Sequence, residues 1–214
     1  MVNDYGRLAT VSLAPAAGYE RPANAPDLVH LDDPASFVFT DFRMVRPITT
    51  VAEQRIDAAL EVMKSEGVRL LLVVDEADHV VGVVTAADIQ GEKPIQLAEA
   101  NRESRDAITV GAVMTPSEAL EVLSYPALEN ARVGNVLETM RALERRHLVV
   151  ADRGGRRVLG LFSASQIAKQ LRLRLDAGLP IADSLAAIQR EASTRRGDRA
   201  LGEMWSRVVE GAPR

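Results

Sequence analysis

Apolar positions along this chain follow two rhythms, one helical and one extended, and the same succession of rhythms occurs twice. Ile56, Leu60 and Met63 stand at i, i+4 and i+7, which aligns one face of a helix, and Gly67 is placed to end that helix in a left-handed turn. Leu70 to Val74 and Val80 to Val84 are short β-branched-rich runs. The segment Asp75 to His79 between them is too short for a crossover and predicts a hairpin. Ala86 to Gln90 then opens a second helix, with Gly91 as its stop. Further on, Val133, Val136, Leu137 and Met140 predict a helix, His147 to Ala151 and Val158 to Phe162 a second hairpin, and Ala164 to about Leu173 a closing helix. A strand candidate precedes each long helix, Ile48 to Val51 in one case and Leu120 to Leu123 in the other.

These two stretches are copies. At an offset of 77, Leu60 falls on Leu137, Met63 on Met140 and Asp75 on Asp152. One extra residue in the turn Asp152-Arg153-Gly154-Gly155 then sets Gly82 on Gly160, Thr85 on Ser163, Asp88 on Gln166 and Ile89 on Ile167. Each unit reads as a three-stranded sheet with two helices. Such a unit, at about 55 residues, cannot bury enough apolar surface alone, so the copies should pack into one composite α/β domain. The apolar helical layer this leaves uncovered predicts a homodimer.

The flanks divide the rest. Residues 1–36 carry Pro15, Pro22, Pro26 and Pro34 among small residues and read as an extended, partly disordered extension. Order begins at Phe37-Val38-Phe39, which would cover a sheet edge or a dimer partner, and the first copy occupies 37–91. In the linker, 92–113, Lys93-Pro94 starts a polar helix to about Asp106, and Thr109 caps the short turn that carries Met114. The second copy occupies 114–172. Residues 173–214 are a helical segment, with Leu185, Ile188 and Ala192 on one amphipathic helix and Leu201, Met204, Trp205 and Val208 on another.

Composition narrows the function classes. With 214 residues, 47% apolar and 26% charged, and a mean hydropathy of -0.03, the chain has no run near the roughly 18 apolar residues of a membrane span. Its 0 Cys exclude a disulfide framework and a thiol nucleophile, and suit a reducing cytoplasm. With 26 basic and 30 acidic residues, net charge -4, a general electrostatic grip on nucleic acid is disfavoured. A weaker nucleic-acid reading rests on Arg172, Arg174, Arg195, Arg196 and Arg199, which alternate with acids as on a solvated face. Catalysis finds little footing: there is no Gly-rich phosphate loop and no HExxH, and His30, His79 and His147 are too scattered for a metal site. The pair Asp32-Asp33 precedes Pro34 and reads as a solvated turn.

The residues Ala59-Leu60, Met63, Gly67, Leu72-Val73-Val74-Asp75 and Val81-Gly82-Val83-Val84-Thr85-Ala86-Ala87-Asp88-Ile89 resemble the cystathionine-β-synthase-type (CBS) domain. Val113-Met114-Thr115-Pro116 resembles the start of the next such domain in a tandem pair, and the likeness covers roughly Arg46 to Leu171. The resemblance implies a pair related by pseudo-two-fold symmetry, with clefts between the copies that take AMP, ADP, ATP or S-adenosylmethionine, and with regulation rather than catalysis as the role.

An adenosine ligand offers a ribose diol, a flat base and usually phosphates. A carboxylate accepts from both ribose hydroxyls, and Asp88 is the candidate, with Thr85 beside it at the strand-to-helix turn. The same Thr85-x-x-Asp88 spacing is also a helix capping box, and Ser163-x-x-Gln166 fits that description equally. Only the first copy keeps the carboxylate, so one competent cleft is expected and a second, at Ser163 and Gln166, is doubtful. Arg69, Arg145, Arg146 and His147 would face phosphates or simply cap solvated helix ends. By resemblance, the strand Ile48-Thr49-Thr50-Val51 supplies Thr50 and backbone groups to the adenine edge, with Ile48 and Val83 as apolar walls. The reading is a cytoplasmic, homodimeric nucleotide sensor that signals to an unidentified protein partner. The alternative is the same fold as a ligand-free structural or interaction module.

Overall fold

Residues 28–173 and 182–195 are described by the structure, a computed structural model. In the first copy, β2 (Thr49–Thr50) leads into α1 (Ile56–Ser65), followed by the hairpin of β3 (Leu70–Val74) and β4 (Val80–Thr85) and by α2 (Ala86–Gln90). The second repeats this as β6 (Leu123–Ser124), α5 (Val133–Ala142), β7 (His147–Ala151), β8 (Val158–Ser163) and α6 (Ala164–Gln170). β2 is parallel to β3 and β6 to β7, while both hairpins are antiparallel. Each hairpin is closed by the aligned aspartates. Asp75 accepts from the backbone N–H of Ala77 and His79 at 2.9 and 2.8 Å, and Asp152 from that of Arg156 at 2.8 Å. Gly67 holds φ +67°, the left-handed stop its position predicts.

The sheets have four strands, not three, because each borrows an edge strand from across the repeat boundary. β1 (Thr40–Asp41) pairs with β8, and β5 (Thr115–Pro116) pairs with β4, both antiparallel. A bare β4 or β8 edge would leave a row of unpaired N–H and C=O groups, and the crossing segments satisfy them. Neither Thr40–Asp41 nor Thr115–Pro116 sits in a β-branched run like Ile48 to Val51, so neither reads as a strand from sequence. The segment Phe37-Val38-Phe39 packs on the core of the second copy, and the residues that pair with its sheet edge are the next two, Thr40 and Asp41. Behind the crossing strands, Val29, Ala35 and Val38 enter the core of the second copy, while Ile108, Val110 and Val113 enter that of the first. An arginine at equivalent positions ties each crossing: Arg55 donates to the Ala107 carbonyl and Arg132 to that of Asp32.

The close approach explains Gly82 and Gly160. A Cβ on Gly82 would stand 2.6 Å from the Thr115 carbonyl oxygen, and one on Gly160 would stand 2.2 Å from that of Thr40 and 2.4 Å from the Phe39 ring. The linker helix, α3 (Lys93–Asn101), ends earlier than expected, with Arg102 left-handed at φ 56°. Thr109 precedes α4 (Val110–Val113) but makes no side-chain cap. A further helix, α7, spans residues 182–195 and buries Leu185 and Ile188 in the second copy's core, with Ala192 packed at its margin. Gln189 on it donates to Glu138 of α5 at 3.3 Å. The helical layer predicted to be bare is therefore covered, on the second copy, by the chain's own α7 and residues 28–38. Leu201, Met204, Trp205 and Val208, and Arg174, Arg196 and Arg199, lie outside the described residues, as do residues 1–27.

Candidate functional site

Leu70, Leu72, Val83 and Val149 join the two sheets in a small apolar cluster, and two clefts open beside it. Both clefts reach Arg69, which precedes β3, and His147, which begins β7, the equivalent inner strands of the two sheets.

The smaller cleft, about 460 Å³, gathers Val83, Thr85 and Asp88 from the β4–α2 turn, Leu120 and Glu121 from the approach to β6, and Arg145 and Arg146 from the α5–β7 turn. Asp88 and Thr85 form a capping box: Asp88 Oδ2 accepts from the Thr85 N–H at 2.8 Å and from Thr85 Oγ1 at 2.6 Å, while Thr85 Oγ1 accepts from the Asp88 N–H at 3.2 Å. That accounts for one carboxylate oxygen. Among the described residues Asp88 Oδ1 has no partner, and Arg69, Arg145 and Arg146 make no side-chain hydrogen bond or ion pair. Burial and the Arg146 and Arg69 guanidiniums hold the His147 imidazole down to about 4, with the Asp88 carboxylate pulling the other way. His147 is thus a neutral ring at neutral pH.

The larger cleft, about 800 Å³, gathers Thr40, Arg46 and Ile48 from the segment around β1 and β2, and Ser163, Gln166 and Lys169 from the β8–α6 turn. The sequence copies part company here. Ser163 makes no cap; its hydroxyl lies 2.9 Å from that of Ser165, and Gln166 Oε1 accepts from Thr40 Oγ1 at 3.3 Å. The expectation that both copies keep a cap is corrected. A carboxylate oxygen carries the charge to hold an N–H and an O–H together, whereas the Gln166 amide is taken by a hydroxyl on the crossing strand.

Asp88, Thr85, Val83, Arg69, Arg146 and His147 are therefore brought together as expected. Ile48 is not: it stands in the larger cleft, with Ser163 and Gln166, and Thr50 lines neither cleft. The sheet order β2-β3-β4-β5 explains this, because β2 and β4 flank β3 on opposite sides and the strand carrying Val83 cannot share a wall with Ile48. The residue that approaches the Asp88 cleft at the matching place is Glu121, which the sequence reading passed over, along with Arg46, Thr40 and Lys169. The signal was available: β6 and β2 pair equivalent residues of β7 and β3, Leu123 with Val150 and Thr50 with Val73, which sets Glu121 where the first copy has Ile48. Among the described residues no group of three His, Asp or Glu could hold a metal ion, and no helix is long and apolar enough to cross a membrane.

Comparison with known proteins bears on this architecture. Residues 39–92 match the CBS domain family. Over 74 residues the chain is 35% identical to inosine-5'-monophosphate dehydrogenase of Thermoplasma acidophilum, a match spanning 34% of this chain and 15% of that protein. A structure of an uncharacterized conserved protein from Pyrococcus horikoshii superposes with a TM-score of 0.51 at 21% identity, covering 70% of this chain and all of that one (100%). CBSX2 in complex with AMP superposes with a TM-score of 0.44 at 21% identity, covering 62% of this chain and 90% of that one.

Proposed function

We propose that this CBS domain-pair protein is a non-catalytic sensor that binds an adenosine nucleotide in the smaller cleft and passes its occupancy to a protein partner in the cytoplasm. The observation that carries this reading is the half-engaged carboxylate: Thr85 fixes Asp88 through Oδ2 and leaves Oδ1 to accept from a ribose hydroxyl. A carboxylate held by its own helix cap loses little rotamer freedom on binding, which favours affinity. Arg69, Arg145 and Arg146 supply unpaired guanidiniums for phosphates beside it, and Leu120, Val83 and Val149 the apolar faces for a base. Of the candidates AMP, ADP, ATP and S-adenosylmethionine, the arginines favour the phosphorylated three over a sulfonium cation. Regulation follows if the nucleotide prefers one arrangement of the two sheets, because a ligand shifts a conformational equilibrium only by its differential affinity.

Calorimetric titration of wild type and Asp88→Asn with the four ligands tests the reading, after removal of any carried-over nucleotide. Asparagine keeps an oxygen for the cap and loses the charge. Binding at one site that weakens in Asp88→Asn supports the sensor; equal binding in both refutes the assignment of Asp88. The second reading, a ligand-free interaction module, draws on the capping box itself, since starting a helix is a sufficient reason for Thr85 and Asp88. It predicts a folded, empty wild type that binds none of the four. A homodimer belongs to the proposal too, and the covering of the second copy by α7 leaves the first copy's helices as its surface. Sedimentation showing a monomer at micromolar concentration would remove it.

A further inference from the structure

The two hairpin turns are equivalent in the repeat and opposite in charge. The first copy's turn, Asp75-Glu76-Ala77-Asp78-His79, is acidic, and the second's, Asp152-Arg153-Gly154-Gly155-Arg156-Arg157, is basic. The borrowed edge strands extend the contrast. β5 runs antiparallel to β4, so the residues after Pro116 approach the acidic turn and bring Glu118 to it. β1 runs antiparallel to β8, and Phe42 continues the pairing by donating to the Leu159 carbonyl at 2.9 Å, so the residues that follow approach the basic turn. Glu76, Asp78 and Glu118, like Arg153, Arg156 and Arg157, are exposed and make no side-chain hydrogen bond or ion pair among the described residues. None of them lines either cleft.

At the basic end an apolar side chain is held outward. Arg43 grips the Asp41 carboxylate through Nε and Nη2, at 2.8 and 2.6 Å, donates to the Tyr125 hydroxyl at 2.9 Å and lies 4.8 Å from that ring's centroid. The N–H groups of Met44 and Val45 both donate to the Asp41 carbonyl at 3.0 Å. The turn is thereby fixed, with Met44 left 82% exposed, and a side chain presented on a fixed turn loses little freedom on meeting a partner. We propose that the basic end of one molecule docks on the acidic end of a second copy of this chain, with Met44 against the small exposed side chains of Ala77 and Ala119. Charge complementarity selects this occupant. Each end repels its own kind, so two copies meet only with unlike ends together. This surface lies apart from the helical one offered above for a homodimer, and its test separates the two.

The test is sedimentation of the full chain across a micromolar concentration range, beside Glu76→Lys/Glu118→Lys and Arg153→Glu/Arg156→Glu, whose exposed positions leave the thermal melt as in wild type. Wild type is expected to self-associate, at least about tenfold more weakly in about 0.5 M NaCl than in about 0.05 M. Each double variant by itself is expected to lose at least about tenfold in association. An equimolar mixture of the two variants regains it, because one keeps the native basic end and the other the native acidic end. Association that survives both charge reversals and salt belongs to the helical surface and overturns the proposal. So does a wild type that stays monomeric, whether or not its basic end is captured by vesicles of phosphatidylserine and phosphatidylcholine.

Discussion

The two copies of the repeat align with a single extra turn residue between them, yet the side chains three positions past the β4 and β8 hydroxyls do different work. Asp88 folds back on its own helix, closes a capping box with Thr85 and keeps one oxygen in reserve. Gln166 turns outward to Thr40, on a strand borrowed from the other copy, and its helix has no side-chain cap. A repeat therefore preserves the backbone frame while one change of side chain redistributes the polar chemistry of the two clefts. The same contrast holds in tightness: Gly160 lies closer to its borrowed strand than Gly82 does, and has an aromatic ring against it besides.

Several substitutions would break or sharpen this contrast, and the largest effect should come from the glycines. Gly160→Ala must displace a carbonyl and the Phe39 ring, at a cost of about 3 kcal/mol, whereas Gly82→Ala meets a carbonyl and the Met114 thioether and costs about 2 kcal/mol. Urea unfolding of the two variants measures the difference, and equal losses would show that the second crossing is no tighter than the first. Next comes the carboxylate: Asp88→Asn should weaken nucleotide binding roughly ten- to a hundredfold, about 1.5 to 3 kcal/mol, while Gln166→Ala leaves that site unchanged.

His147 gives a pH signature of similar size. Its folded-state value near 4 lies below the ordinary 6.5, so the unfolded chain takes up the proton first, and the stability contributed by the neutral ring is present above about pH 6.5 and lost as pH falls toward 4. Wild type should lose on the order of 2 kcal/mol more than His147→Gln across that window, read from denaturant midpoints at each pH. Parallel curves for the two proteins would mean that His147 is not held neutral. The smallest effect separates the caps. Thr85→Ala should cost about 1 kcal/mol of stability and Ser163→Ala less than about 0.5 kcal/mol, since only the former caps a helix N-terminus through its side chain.

Much of this was legible along the chain. The 3.6-residue and 2-residue rhythms located α1, α5 and both hairpins, and the Asp75 and Asp152 turns and the Gly67 stop are local events whose partners lie within a few residues. Leu185, Ile188 and Ala192 announced the buried face of α7 for the same reason. At the site, the cap that Thr85-x-x-Asp88 predicts forms through one carboxylate oxygen, and the ligand role proposed for Asp88 would use the other. Arg69 and Arg146 stand at equivalent places just before the two hairpins, with His147 next in the chain, and the structure brings all three to the same cleft.

What escaped the sequence depends on partners far apart in the chain. The exchange of β1 and β5 between sheets, the clips at Arg55 and Arg132, and the Thr40–Gln166 bond join residues that no periodicity links. The assignment of Ile48 to one cleft and Val83 to the other follows from sheet order, which sets β2 and β4 on opposite sides of β3. Sequence alone thus determined the repeat, its elements and the inventory of charged and apolar groups, because those rest on local backbone preference and short-range burial. Only the tertiary structure decided which of those groups face one another, because unpaired strand edges are satisfied by whichever segment can reach them, and here each sheet takes its fourth strand from across the repeat boundary.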